Sequence, residues 1–294
     1  MLTEIKAKYD KNKSKISATT VKLILLHDKL EITLKHRYFI YLSYIGTYYH
    51  GWQVQPCSIT VQEVLNQSIS KLLREEVYCI GAGRTDTGVH APCFYAHFDS
   101  KHSGLEKEEK FVYKLNCILP KDIAVHELIP VSPEAHARFD ATSRTYLYRI
   151  SQVKNPFNLD YAMQFTKDLD IVNMNKASEI LKEYTDFTSF SKLHTDVKTN
   201  NCKIIHAVWT VFNKELHFTI SADRFLRNMV RSIVGTIIDV GLGKITPDDI
   251  RTIIEKKNRS EAGTSVNACG LHLIKIEYPY IILNDNHLHS SFIF

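Results

Sequence analysis

The chain has 294 residues, 44% hydrophobic and 23% charged, which suffices for one large or two ordinary globular domains and excludes intrinsic disorder. Eleven Gly and 8 Pro without a fixed period exclude collagen-like and low-complexity architectures, and no apolar run approaches the roughly 18 residues that a membrane-spanning helix needs. The net charge of +5 sits mostly at one end, because residues 1 to 36 hold eight Lys against four acids, so a polyanion-binding body would rely on local clusters of Arg and Lys.

Those first 36 residues show no sustained period and read as an appended Lys-rich extension, either a flexible arm or a segment that the folded body does not require. Their apolar stretch, Val21 to Leu26, is short, charged inside and too late for a secretory signal. A strand-like run follows at Tyr38 to Tyr44. Thr60-Val61-Gln62-Glu63 has the form of a capping box and opens a helix with Val61, Val64, Leu65, Ile69, Leu72 and Leu73 on one face. Val77 to Ile80 reads as a short strand running into the Gly-rich segment 81 to 90, and Phe94 to Phe98 alternates as the next one. A polar helix over about Glu106 to Asn116 leads on to Leu119-Pro120.

The pattern restarts near Ser132-Pro133 with a strand at Thr145 to Ile150, a helix near Met174 to Tyr184, and strands at Ile204 to Phe212 and Leu216 to Ser221. A long helix is predicted from Asp223, ended by Gly241 and Gly243. A second starts at Thr246-Pro247-Asp248-Asp249, and a last strand spans Leu271 to Tyr278. Helices mixed with half-buried strands point to an α+β fold: two similar α/β halves, each a mainly antiparallel sheet with helices on one face. The expected boundaries are an extension over 1–36, an N-terminal α/β domain over 37–135 and a C-terminal α/β domain over 136–294. Six cysteines, at 57, 79, 93, 117, 202 and 269, stand singly with no C-x-x-C pair, which fits a reducing, cytoplasmic compartment.

The most unusual segment is Gly81-Ala82-Gly83-Arg84-Thr85-Asp86-Thr87-Gly88-Val89-His90, three glycines around a cation and a carboxylate between two strands. Such a loop lets backbone approach a ligand closely; a tight structural turn with Arg84 paired to Asp86 fits the spacing equally well. No Gly-Lys-Ser or Gly-Lys-Thr follows, so it is not a P-loop, and Asp86 with His90 alone makes a poor metal site.

With Ala91 this run resembles the signature of the tRNA pseudouridine synthase A family, G-x-G-R-T-D-A-G-V-H-A, with Thr87 in place of the commoner Ala. The likeness continues in family order through Gly51-Trp52-Gln53, Leu119-Pro120-Lys121-Asp122, His136-Ala137-Arg138-Phe139, Arg144-Thr145-Tyr146-Leu147-Tyr148 and Asn155-Pro156-Phe157. It then runs through Asp186-Phe187-Thr188-Ser189-Phe190, Asp223 to Arg231 and Gly270-Leu271-His272-Leu273, covering about Arg37 to Pro279.

The resemblance implies an isomerase that turns uridines of tRNA, those at positions 38 to 40 of the anticodon stem-loop, into pseudouridine, without cofactor or metal, as a homodimer and with the active cleft between the two halves. It implies that Asp86 is the one carboxylate the reaction needs. An aspartate, with a reference pKa of about 3.9, can attack C1′ or C6 or take the C2′ proton, and the residues alone do not separate these roles. Arg84 corresponds to an arginine that enters the duplex as the target nucleotide swings out; the plain alternative is a surface loop charge. Tyr146 corresponds to a tyrosine that stacks on the flipped base, and Tyr148, two residues on, reads as sheet core.

Arg224, Arg227 and Arg231, spaced three and four, would lie on one helical stripe, with a solvated face as the plain reading for the first two. Arg231 lies near the apolar side and corresponds to an arginine that pairs with the catalytic Asp, so an Arg231–Asp86 ion pair is expected. Leu271 corresponds to an apolar residue at the base of a uracil pocket, an inward strand leucine being the alternative, and Ser265 to Cys269 depart from the family's usual run. Arg138, His136 and Lys192 are candidate phosphate contacts or ordinary surface groups, and Cys269 reads as a small buried residue. Two rivals stand beside the isomerase: a non-catalytic RNA-binding protein, disfavoured because binding alone needs no acid, and a nucleotide-phosphate enzyme, disfavoured by the missing Lys-Ser or Lys-Thr.

Overall fold

The computed structural model describes residues 35–192 and 199–281. The Lys-rich arm up to residue 34 and the tail from 282 lie outside the described residues.

The first sheet is built around β1 (His36–Tyr44), which lies antiparallel between β3 (Ala91–Ser100) and β4 (Ile123–Val131); the two-residue β2 (Ile80–Gly81) pairs with β3 on its other side. Residues 38 to 42 are all buried, so β1 is covered on both faces and reads as a continuous apolar run rather than an alternating one. One face is an aromatic layer in which Tyr41 stacks on Tyr95 at 5.1 Å and Phe39 and Tyr95 meet Tyr278 edge-on at 5.3 and 5.2 Å. The same core takes in Val61, Leu65 and Ile69 of α1 (Val61–Leu73) and Phe111 and Leu115 of α2 (Phe111–Ile118). Thr60 caps α1 by accepting the Glu63 N–H at 3.3 Å, as its sequence indicates.

The second sheet is centred on β5 (Ser143–Ser151). It pairs antiparallel with β8 (Glu215–Ala222), which in turn pairs with β7 (Ile204–Phe212); its other edge carries β9 (Leu271–Glu277), antiparallel, and the short parallel β6 (Met163–Gln164). Its core is filled from α3 (Ile171–Ile180), α4 (Met229–Gly241) and α5 (Asp249–Glu255). Mainly antiparallel sheets with packed helices make this the α+β architecture that the sequence indicates.

The two sheets are joined by a backbone bridge and by an apolar seam between β3 and β9. His90, just before β3, forms a parallel bridge with His272 of β9: the His90 N–H donates to the Leu271 carbonyl at 3.0 Å and the Leu273 N–H to the His90 carbonyl at 2.9 Å. Leu273, Ile276 and Tyr278, although part of or adjoining a strand of the second sheet, pack into the first core, and Tyr146 packs against both. β9 and Tyr278 thus return to seal the seam between the two sheets.

Four local expectations need correction. The helix predicted from Asp223 begins at Met229; the Asp223 carboxylate binds the Lys203 and Arg224 N–H groups at 2.8 and 2.7 Å, and Asn228 has φ +65°, which breaks any helix through it. Arg224, Arg227 and Arg231 therefore do not share a helical stripe. The segment 77 to 80 is strand only at Ile80, because the N–H groups of Val77 and Cys79 bond Ser70 Oγ and Asn66 Oδ1 on α1 instead of a neighbouring strand. The helix expected over 106 to 116 is a single 3₁₀ turn, Leu105–Lys107, followed by α2 with an apolar face. Last, β4 was not foreseen: it is an edge strand carrying Pro130, and its pairing with β1 slips by one residue at Tyr41/Leu42, which spoils the period of two.

Candidate active site

The Gly-rich loop between β2 and β3 is pinned on several sides. Thr85 is buried, its Oγ1 hydrogen-bonds the Tyr44 hydroxyl at 2.9 Å, and its carbonyl accepts the Trp52 N–H at 3.3 Å. The Gly88 N–H donates to the Tyr49 carbonyl at 3.3 Å, and His90 Nδ1 accepts the Gly46 N–H at 3.1 Å. Gly51 makes the approach feasible: it has φ +81°, and a Cβ there would lie 2.3 Å from the Thr85 carbonyl oxygen. The loop is thereby a rigid shelf whose tip presents Asp86, half-buried, and Arg84, exposed and without an ion-pair or hydrogen-bond partner among the described residues.

Two guanidinium groups reach the Asp86 carboxylate. Arg231 Nη1 lies 3.6 Å from Oδ2 and Arg227 Nε 3.9 Å from Oδ1, ion-pair distances without a direct hydrogen bond. Arg231 comes from the first turn of α4 and is held there by its Nε, which donates to the Val266 carbonyl at 2.7 Å, while the Val266 N–H returns a bond of 3.2 Å to the Arg231 carbonyl. The 263–266 segment can cross α4 this closely because position 235 is glycine; a Cβ there would stand 1.8 Å from the Thr264 carbonyl oxygen. Ser265, in the stretch that departs from the family's usual run, accepts from Asn228 Nδ2 at 2.6 Å and Arg259 Nη2 at 2.9 Å, tying the same segment to the turn that carries Arg227.

Tyr146 lies half-buried on β5, its ring edge-on to Phe225 at 5.2 Å and 86°. Burial pushes its hydroxyl pKa well up; the nearby Arg144 charge opposes that and the Asp86 charge adds to it. Leu271 is buried in the second core, opposite Tyr148 in the β5–β9 register, and shares that core with Val89 of the loop. Tyr148 is fully buried with its hydroxyl donating to the Asn267 carbonyl at 2.8 Å, a structural position as its spacing suggests. Cys269 is half-buried, and burial raises its thiol pKa, which favours the uncharged form.

The remaining cations fall into two groups. Arg138 is exposed and Arg224 half-buried; burial and the neighbouring charges of Arg84 and Arg224 lower the Arg138 pKa, which puts the three guanidinium groups in one field. Lys192 is exposed, and its backbone N–H donates to the Arg227 carbonyl at 3.2 Å. His136, by contrast, is committed to a turn: its Nδ1 accepts the Arg138 and Phe139 N–H groups at 3.1 and 3.3 Å. Among the described residues no cluster of His, Cys, Asp or Glu could hold a metal ion, and no helix is long and apolar enough to cross a membrane.

The sequence reading passed over Arg144. Its Nη1 donates to the carbonyls of Ala141 and Asp223, each at 2.8 Å, and its Nη2 to those of Ala82, at 3.0 Å, and Arg138. One cation, with no carboxylate in ion-pair reach among the described residues, thus ties the Asp86 loop, the turn at 136–141 and the loop bearing Arg224 and Arg227. An arginine leading a strand was the available signal, and it is weak.

A family model described as tRNA pseudouridine synthase matches residues 40–140 and 184–279, which takes in the Asp86 loop, the turn at 136–140, α4 and β9. The chain belongs to the tRNA pseudouridine synthase family. Among curated relatives it is 55% identical over 244 residues to tRNA pseudouridine synthase A of Bacteroides fragilis, covering 83% of this chain and 96% of that protein. It is 53% identical over 252 residues to the Bacteroides thetaiotaomicron protein of the same name, covering 85% of this chain and 93% of that protein. With the more distant tRNA pseudouridine synthase A of Caldicellulosiruptor bescii the identity is 39% over 239 residues, 81% of this chain and 97% of the relative.

Proposed function

We propose that this member of the family isomerises uridine to pseudouridine in tRNA, at positions 38 to 40 of the anticodon stem-loop, with Asp86 as the nucleophile or base. The observation that carries the reading is one carboxylate, on a loop pinned by Tyr44, Trp52 and Tyr49, set between two guanidinium groups at 3.6 and 3.9 Å. The reaction breaks the bond from ribose C1′ to uracil N1, turns the base, and joins C1′ to C5; the proton from C5 leaves to solvent and N1 gains one, so atoms balance with no redox step. Two cations beside Asp86 aim its oxygens and oppose their drift toward solvent.

A uridine inside a stem must leave the helix to meet Asp86, at a cost of a few kcal/mol. Arg84, exposed and two residues from Asp86, suits entry into the duplex beside the leaving nucleotide, and Tyr146 offers an aromatic face for the extruded base, with Leu271 closing the apolar end of the pocket. Arg138, Arg224 and Arg227 supply phosphate contacts. A homodimer, in which each RNA meets the arginines of two chains, would raise the local charge of a body that is nearly neutral. Six free cysteines fit work in the cytoplasm.

The test is tritium release from C5-labelled uridine in tRNA transcripts by the wild-type protein and by Asp86→Asn, which keeps the shape of the side chain and removes its charge and basic oxygen. Release by the former and none by the latter supports the reading. Release by both removes Asp86 from the chemistry, and release by neither, with RNA binding intact, leaves an RNA-binding protein.

A further inference from the structure

A fold that gathers positive charges without counter-ions is built to receive an anion. Arg84, Arg138 and Arg224 come from three separate loops and, among the described residues, have no carboxylate within ion-pair distance. Arg144 holds those loops together, through the Ala82 carbonyl two residues before Arg84, the Arg138 carbonyl itself, and the Asp223 carbonyl one residue before Arg224. The rim is therefore preorganised, and a bound anion would relieve its mutual repulsion.

At the tip of the middle loop stands Phe139. It is 73% exposed, although it leads straight back into a buried turn where Ala137 and Ala141 belong to the first core. The turn is not a floppy one: the Phe139 N–H donates to His136 Nδ1 at 3.3 Å, the His136 N–H to Asp140 Oδ2 at 2.7 Å, and the Phe139 ring rests against the His136 ring with centres 4.3 Å apart. The Arg138 guanidinium lies 5.6 Å from the centre of the same ring. An aromatic ring held out to solvent by a rigid turn, among three unneutralised arginines, fits a ligand that is flat and apolar in one part and anionic in the next. A simple anion would not need the ring, and an apolar protein surface would not need the charges.

We propose that the Arg138–Phe139 turn is a second nucleobase subsite, in which an unpaired base of the tRNA stacks on Phe139 while Arg84, Arg138 and Arg224 take the flanking phosphates. This base is distinct from the target uridine, which the proposed function assigns to Tyr146, and the inference rests on that reading for the identity of the RNA. Stacking on an exposed ring contributes without regard to base identity, so the subsite adds affinity and fixes the register of the RNA rather than selecting a sequence.

The test measures the Kd of a tRNA transcript at several salt concentrations for the wild type, Phe139→Ala, Phe139→Trp and Arg138→Gln, with tritium release followed in parallel. Because Phe139 is exposed, its loss leaves the core untouched. Phe139→Ala is expected to weaken binding about tenfold, or about 1.4 kcal/mol, at every salt concentration, with the deficit falling on KM more than on kcat. Phe139→Trp restores the affinity, and Arg138→Gln lowers the salt slope by about one. Wild-type affinity in Phe139→Ala, or a Trp variant as weak as the Ala one, overturns the subsite. A wild-type protein that binds tRNA but releases no tritium would sink the proposed function instead, and the binding series would still decide for or against Phe139.

Discussion

Replacing Arg144 with lysine keeps the charge and removes the fork, so it separates electrostatics from geometry. In the wild type four carbonyl oxygens share two guanidinium nitrogens, with Ala82 and Ala141 the more buried acceptors at 3.0 and 2.8 Å. A lysine ammonium has three donors on one atom and cannot span acceptors that the guanidinium serves with two separate nitrogens. Two of the four bonds go unmade, and since an unsatisfied buried acceptor costs about 1–3 kcal/mol, with the lower half of that range applying to these part-buried carbonyls, Arg144→Lys is expected to lower stability by about 2–4 kcal/mol. Because the released carbonyl of Ala82 belongs to the loop that carries Asp86, kcat/KM is expected to fall on the order of a hundredfold even well below the melting temperature. Urea unfolding at constant m-value and initial rates of tritium release measure the two quantities. A lysine variant within 0.5 kcal/mol of wild type and equally active would refute the reasoning, since charge alone would then account for Arg144.

The remaining expectations follow from the same geometry. Arg231→Gln is expected to lose on the order of a hundredfold in kcat, and Arg227→Gln about tenfold, because Arg231 is half-buried and anchored to Val266 whereas the Arg227 side chain is 58% exposed; equal losses would contradict the ranking. Gly235→Ala pushes the Thr264 carbonyl off α4 and is expected to cost about 2 kcal/mol or more while displacing Arg231, so a stable and fully active variant would be at odds with the close approach. Burial, with neighbouring cationic groups, holds His97 down to about 4 and His272 down to about 3, from 6.5. Both are neutral in the fold, the unfolded chain takes up the protons first, and stability present above pH 6.5 is lost as the pH falls: about 3 kcal/mol between 6.5 and 5 for the pair, measured by denaturant unfolding at each pH and removed in part by His272→Gln.

What the sequence disclosed and what it concealed differ in range. The Asp86 loop stood out because its glycines, arginine and aspartate lie within ten residues, while the Arg231 contact was implied by the family resemblance, added to a guanidinium beside Val230, Ile233 and Val234. The extent of α4 was misread because Phe225 and Leu226 continue the apolar period, while the signals that stop the helix are the Asp223 carboxylate accepting the next residue's N–H and a left-handed residue at Asn228. β4 was missed because a one-residue slip against β1 erases the alternation on which strand detection rests.

Arg144 shows the harder limit. Its four acceptors lie at residues 82, 138, 141 and 223, and a carbonyl has no residue type, so no motif can encode the contact. Only when β5 is laid between β8 and β9, and β9 is bridged to His90, do those carbonyls converge on one side chain. The chemical groups of such a site are local and readable, whereas the parts that hold them in place are backbone atoms brought together by topology. It follows that substitutions at positioning residues such as Arg144 and Gly235 should separate from those at Asp86 in one respect: they shift stability and activity together, while Asp86→Asn shifts activity alone.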